Sequence, residues 1–106
     1  MIPFRDNAGQ IKKAGDSVVL SVEDAGTVGM DVRGTFTSSL IDFQATIDGT
    51  NWVAIKDQFN GSSATNTAAN GVFTFKVSGF KAVRALGHAA TVLDTINITL
   101  HAVGID

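Results

Sequence analysis

Ile41-Asp42-Phe43-Gln44-Ala45-Thr46-Ile47-Asp48-Gly49-Thr50-Asn51-Trp52-Val53-Ala54-Ile55 decides the fold class. Up to Asp48 the residues alternate strictly, with Ile41, Phe43, Ala45 and Ile47 set against Asp42, Gln44, Thr46 and Asp48. A period of two places one set on a buried sheet face and the other in water. The Asp48-Gly49 step marks a reversal, because glycine accepts positive φ without a Cβ clash. After it the apolar residues Trp52, Val53, Ala54 and Ile55 open a second strand.

The same alternation recurs on both sides. Val18, Leu20 and Val22 lie on one phase of 17–23, and Asp24-Ala25-Gly26 turns the chain. Val28, Met30, Val32 and Phe36 point inward from the next strand, where Gly34 falls on the inward phase and marks a bulge or a close backbone approach. Phe73, Phe75 and Val77 form a further inward set, Ser78-Gly79 makes a turn, and 80–86 is a weaker strand. Ile96, Ile98, Leu100 and Ala102 form the last set. No window has helical periodicity. About seven short strands with closely spaced turns predict an all-β fold, a single antiparallel β-sandwich or jelly-roll-like domain over 17–106. Residues 1–16 alternate poorly and contain Pro3, Gly9 and Gly15, which predicts an extended N-terminal arm. Removing 1–12 is then expected to leave the fold intact.

Composition narrows the function. The 106 residues suit one domain large enough to bury a core without staples. There is no cysteine, so disulfides and thiolate metal sites are excluded. A net charge of −2 gives no basic field for nucleic acid, and no apolar run approaches the ~18 residues of a membrane helix. The N-terminus lacks the pattern of a signal peptide, so synthesis in the cytoplasm is expected. Charged residues make up 17% of the chain, against about 25% in ordinary domains. Small polar residues take their place, which suits a surface packed against neighbours or, alternatively, a neutral, Thr-rich β surface that stays in water.

Catalytic constellations are thin. The two histidines, His88 and His101, have no metal-ligand spacing, and the carboxylates are scattered singly. No enzymatic role and no cofactor are expected. Asp48, Asn51 and Trp52 admit two readings. In the simpler one the polar side chains hold the turn and Trp52 covers the sheet as an apolar anchor, so that Trp52→Ala costs roughly 3–5 kcal/mol. In the other they form a glycan site, with Trp52 stacking on a sugar ring. The uncharged stretch from Phe59 to Asn70 is long enough to be a contact loop.

Several segments resemble a family of short tailed-bacteriophage virion proteins. They are Val28-Gly29-Met30-Asp31-Val32-Arg33-Gly34-Thr35-Phe36, Phe43-Gln44-Ala45-Thr46-Ile47-Asp48-Gly49-Thr50-Asn51-Trp52, Asn70-Gly71-Val72-Phe73 and Gly79-Phe80-Lys81-Ala82-Val83-Arg84. The resemblance runs from about Ser17 to Ala102 and leaves 1–16 outside. It implies a β-sandwich structural protein of the virion, a capsid decoration (cement) protein in the first instance. Such a protein assembles with itself, as a homotrimer, and binds the major capsid protein or other virion proteins on the particle surface. The contact residues expected are Ile2, Pro3, Phe4 and Arg5 of the arm and Phe59, Asn60, Asn66 and Asn70 of the polar loop. The alternatives are a carbohydrate- or receptor-binding module using Asp48, Asn51 and Trp52, and a neck or tail component.

Overall fold

The computed structural model of the chain describes residues 4–37, 39–58, 64–88 and 94–104. These form nine strands: β1 (Phe4–Ile11), β2 (Ser17–Ser21), β3 (Ala25–Gly34), β4 (Ile41–Thr46), β5 (Trp52–Ala54), β6 (Asn66–Thr67), β7 (Gly71–Lys76), β8 (Ala82–Gly87) and β9 (Ile96–Gly104). Among the described residues there is no helix. One antiparallel sheet has the order β1-β9-β3-β7, the other β2-β8-β4-β5, with β6 also paired to β4.

The pairing is nested. β1 pairs with β9, β2 with β8, β3 with β7, and β4 with both β5 and β6. A chain doubled back at the β4–β5 turn makes one long two-stranded ribbon. Wrapping that ribbon brings β3 beside β9 and β4 beside β8, which completes both sheets. The result is the expected antiparallel β-sandwich.

The inward phases meet between the sheets. Ile41, Phe43 and Ala45 of β4 face Met30, Val32, Ile98 and Leu100 in a single core, with Val18, Leu20 and Val83. Phe43 lies at its centre, its ring centroid 4.7 Å from Phe73 and 5.1 Å from Phe75 at tilted angles. Such offset geometries let ring edges meet ring faces. Gly34 proves to be a close approach rather than a bulge: a Cβ there would collide with the Thr95 carbonyl oxygen and the Ile96 Cα.

Three expectations are corrected. Residues 4–11 are not an arm but the edge strand β1, paired along its whole length with β9, and Ile11 is fully buried. Hydrophobic alternation fails here because β1 closes the sandwich against β2, where space is short. A Cβ on Gly9 would stand 2.9 Å from Val18 Cγ2, and Asn7 Nδ2 instead donates to the Val19 carbonyl at 2.7 Å. Secondly, Trp52 is not a core anchor; Phe43 and Phe75 fill that role. Thirdly, Ile47 is 71% exposed while Thr46 is buried, because β4 ends at Thr46 and the pleat no longer dictates direction beyond it. With β1 and the short β6, the strand count exceeds the expected seven.

Candidate functional site

The outer face of the β2-β8-β4-β5 sheet can be assembled from its registers. One row runs Val19–Arg84–Gln44–Ala54, a second Ser21–Ala82–Thr46–Trp52, and a third Ser17–Leu86–Asp42–Asn66. Alternation assigns these residues to the outer side, since Val83, Ala85, Phe43 and Ala45 between them are buried, although Thr46 at the end of β4 is itself covered. Val19 remains 41% exposed. The face is mostly small or apolar, with Arg84 at its middle and one carboxylate, Asp42, in the third row, bonded to His88 Nδ1 at 3.0 Å.

That arginine is held in place. Arg84 Nε donates to Gln44 Oε1 at 2.8 Å, and its Cζ lies 4.2 Å from the centroid of the Trp52 ring. The guanidinium is thus stacked on an indole and hydrogen-bonded by a neutral amide. Partial burial lowers the Arg84 pKa, yet a guanidinium keeps its charge at any ordinary pH. Among the described residues no carboxylate forms an ion pair with it.

The outer face of the other sheet is different. Its rows are Asp6–His101–Gly29–Thr74, Ala8–Thr99–Asp31–Val72 and Gln10–Asn97–Arg33. The polar groups there satisfy one another. Arg33 Nε donates to Asp31 Oδ1 at 2.8 Å, Gln10 Nε2 donates to Asn97 Oδ1 at 2.9 Å, and His101 Nδ1 bonds Asp6 Oδ1. The molecule therefore has one self-satisfied polar face and one more apolar face on which Arg84 is not paired to an acid among the described residues.

The β4–β5 turn follows the simpler of the two readings for its polar residues. Asp48 Oδ1 accepts from the Thr50 and Asn51 amides, each at 2.8 Å, and Asp48 Oδ2 accepts from Asn51 Nδ2 at 2.6 Å. Thr46 Oγ1 donates to Asp48 Oδ1 at 3.1 Å. These bonds, the Asn51 amide first, hold the Asp48 carboxyl well below the usual carboxylate range. Gly49 supplies the left-handed backbone with φ 86°. Asp48 and Asn51 are thus bonded within the turn, while Trp52 lies under Arg84 on the outer face.

The other sequence candidates are scattered. Arg5 Nη1 donates to the Glu23 carbonyl at 2.6 Å, binding β1 to the β2–β3 turn. Phe4 opens β1. Asn66 pairs with Asp42 through β6, and Asn70 Oδ1 accepts from the Gly34 amide at 2.8 Å. Ile2, Pro3, Phe59 and Asn60 lie outside the described residues. Asp57 and Asp94 are buried and fasten connections: Asp57 Oδ1 accepts from the Thr74 amide, and Asp94 Oδ2 accepts from the Thr37 amide and the Ser39 hydroxyl. A shallow cavity of about 460 Å³ opens where three turns meet, between Glu23, Asp24, Ile47, Phe80 and Lys81. Among the described residues no cluster of His, Cys, Asp or Glu could hold a metal ion. Sequence reasoning missed Gln44 and Arg84, whose pairing exists only once β4 and β8 lie side by side.

Comparison with solved structures agrees with the fold over the whole chain. SPBc2 prophage-derived protein YomS superposes with a TM-score of 0.82 over 98% of this chain and 96% of that one, at 14% identity. PBSX exported protein XepA gives 0.75 at 18% identity, over 95% of this chain but only 38% of XepA. The Yersinia pseudotuberculosis-derived mitogen gives 0.54 at 15% identity, over 100% and 89%. The likeness is one of fold. No protein-family model matches the sequence, and no curated protein matches it.

Proposed function

We propose that this chain is a structural protein of a phage particle, a decoration (cement) module that adheres to the outside of the head and bridges its subunits. The observation that carries the proposal is the end-to-end superposition on a prophage-derived protein of the same size, 98% of one chain on 96% of the other. The sparse charge and the small, partly apolar outer sheet face support the same reading. So does the use of the polar side chains, which go to fastening turns and connections rather than to lining a cleft. In this proposal the protein acts by contact, without a cofactor or catalytic step, and several copies, a homotrimer in the first instance, bind together. Many weak contacts on a symmetric shell add up through effective concentration.

With β1 built into the sheet, the bridging contact moves from the N-terminal segment to the outer face. The test is direct. Purified protein is mixed with phage heads and, separately, with tails, and its density is located by electron cryo-microscopy; native mass spectrometry counts the copies. Density on tails alone, or none on either, refutes the head assignment. Binding of the free protein to glycans, read from Trp52 fluorescence, would favour the carbohydrate-binding alternative.

A further inference from the structure

We infer that the outer face of the β2-β8-β4-β5 sheet is a docking surface for a protein that presents an aspartate or glutamate carboxylate ringed by apolar side chains, with Arg84 as its receptor. The inference deepens the reading above and rests on it for the identity of the partner, though not for the chemistry of the site.

The three arginines of the chain make the argument by contrast. Arg33 already has its carboxylate, Asp31, at 2.8 Å. Arg5 is spent on the Glu23 carbonyl at the edge. Arg84 alone of the three stands in the middle of a sheet face, fixed from one side by the Trp52 ring and from another by Gln44 Oε1. Its Nε is used; its Nη1 and Nη2 donors make no hydrogen bond among the described residues. A guanidinium offers two parallel donors in a planar fork that matches a carboxylate. Holding that fork rigid before binding removes most of the side-chain entropy otherwise lost on contact. Arginine and tryptophan are also the residue types in which binding energy concentrates at interfaces, usually inside a ring of apolar neighbours that exclude water. Val19, Leu86, Ala82 and Ala54 supply that ring here.

Size and charge choose the occupant. Four strands about 4.8 Å apart, each contributing about five residues of 3.3 Å, make a face of roughly 300 Å². A stable pair of proteins buries about 800 Å² on each side. The face is therefore too small to hold two free copies together, and it suits a module anchored at many equivalent positions. A second copy pressed face to face would also set Arg84 against Arg84. An acidic partner avoids the charge clash, and its repetition over a shell offsets the small area of each contact.

The experiment has two arms. In the first, Arg Nε–H resonances of the whole protein are followed by NMR as acetyl-Leu-Asp-Leu-amide is added, with acetyl-Leu-Asn-Leu-amide as control, at constant ionic strength. The expected result is a saturable shift of Arg84 with the aspartate peptide only, a change in Trp52 emission in step with it, and no response from Arg33. Equal response to both peptides, or none at Arg84, overturns the inference whatever the virion assignment. In the second, binding to phage particles is compared among variants. Arg84→Ala is expected to weaken it by roughly 30-fold or more, the size of an interface hot spot, while Arg33→Ala on the opposite face leaves it unchanged. Arg84→Lys keeps the charge and loses the fork, and is expected to weaken it by roughly 10-fold. If wild type binds particles and Arg84→Ala binds equally well, the inference falls and the virion reading stands. If wild type binds nothing on the particle, the virion reading falls and the first arm still judges the site. An oligomer that dissociates on Arg84→Ala would assign the face to a second copy and overturn the inference.

Discussion

Replacing Phe43 by alanine tests the placement of the core more sharply than any other single change. Phe43 is fully buried and touches two other rings, Phe73 and Phe75. A buried phenylalanine side chain hides at least about 150 Å², which at about 25 cal/mol per Å² is worth close to 4 kcal/mol. Loss of two aromatic contacts adds to this, and partial collapse of the cavity subtracts from it, which returns the figure to about 3–5 kcal/mol. Trp52 is the larger residue, yet it lies half-buried on the outer face. Its truncation forfeits a cation–π contact of about 0.5–1 kcal/mol and part of its area, for a total of about 1–2 kcal/mol. The assay is thermal unfolding followed by circular dichroism, because Trp52 is the chain's single tryptophan and cannot report on its own removal. For a domain of this size Phe43→Ala should lower the melting temperature by roughly 15–30 °C, and Trp52→Ala by well under half of that. Equal losses, or a greater loss for Trp52, would mean that Trp52 and not Phe43 forms the core, and the assignment of the outer face would fail with it.

Other outcomes follow from named contacts. Deleting residues 1–12 removes β1 and the buried Ile11, so the truncated protein should lose its dispersed amide spectrum; a folded product with unchanged melting would refute the role of β1 as an integral strand. Gly34→Ala drives a Cβ into the Thr95 carbonyl, a backbone atom with no room to yield, and should cost about 2 kcal/mol or more by chemical denaturation. A loss below about 0.5 kcal/mol would show that the end of β3 does not lie against the start of β9. Asp48 has a folded pKa depressed from its ordinary value of 3.8, so its contribution is present above that value and is lost as pH falls through the lower folded one. Its carboxyl carbon should therefore stay in the ionised position while the pH is lowered from about 5 to 3, a range in which an ordinary aspartate titrates. Titration within that range would refute the turn network.

The elements buried on one face only were legible from the sequence. Ile41, Phe43 and Ala45, or Ile96, Ile98, Leu100 and Ala102, alternate because a strand between core and water leaves each side chain one choice. β1 escaped notice for a physical reason. It lies at the edge, close over β2, and its inward positions include Asn7 and Gly9, one bonded to a carbonyl and the other too near Val18 for any side chain. Proximity there selects small and polar residues, which erases the hydrophobic signal. Phase was also lost at Ile47, one residue beyond the end of β4.

The candidate site was illegible for a deeper reason. Gln44, Trp52 and Arg84 belong to three strands; Gln44 and Arg84 look like ordinary residues of their own segments, and Trp52 reads there as an apolar anchor or a sugar platform rather than as the partner of a cation. Only the order β8-β4-β5 brings them together, and that order comes from wrapping the ribbon rather than from any local pattern. The turn at Asp48 shows the opposite case. Its residues are adjacent in sequence, so they caught the eye as a binding motif, yet adjacency is what lets them satisfy one another. In a small β-sandwich, polar residues close in sequence tend to be spent on holding turns. Groups left with capacity for a partner are those that the sheet assembles from a distance, on a face where their neighbours are too small or too apolar to use it. Arg84 meets that condition, and Arg33, two residues from its own aspartate, does not.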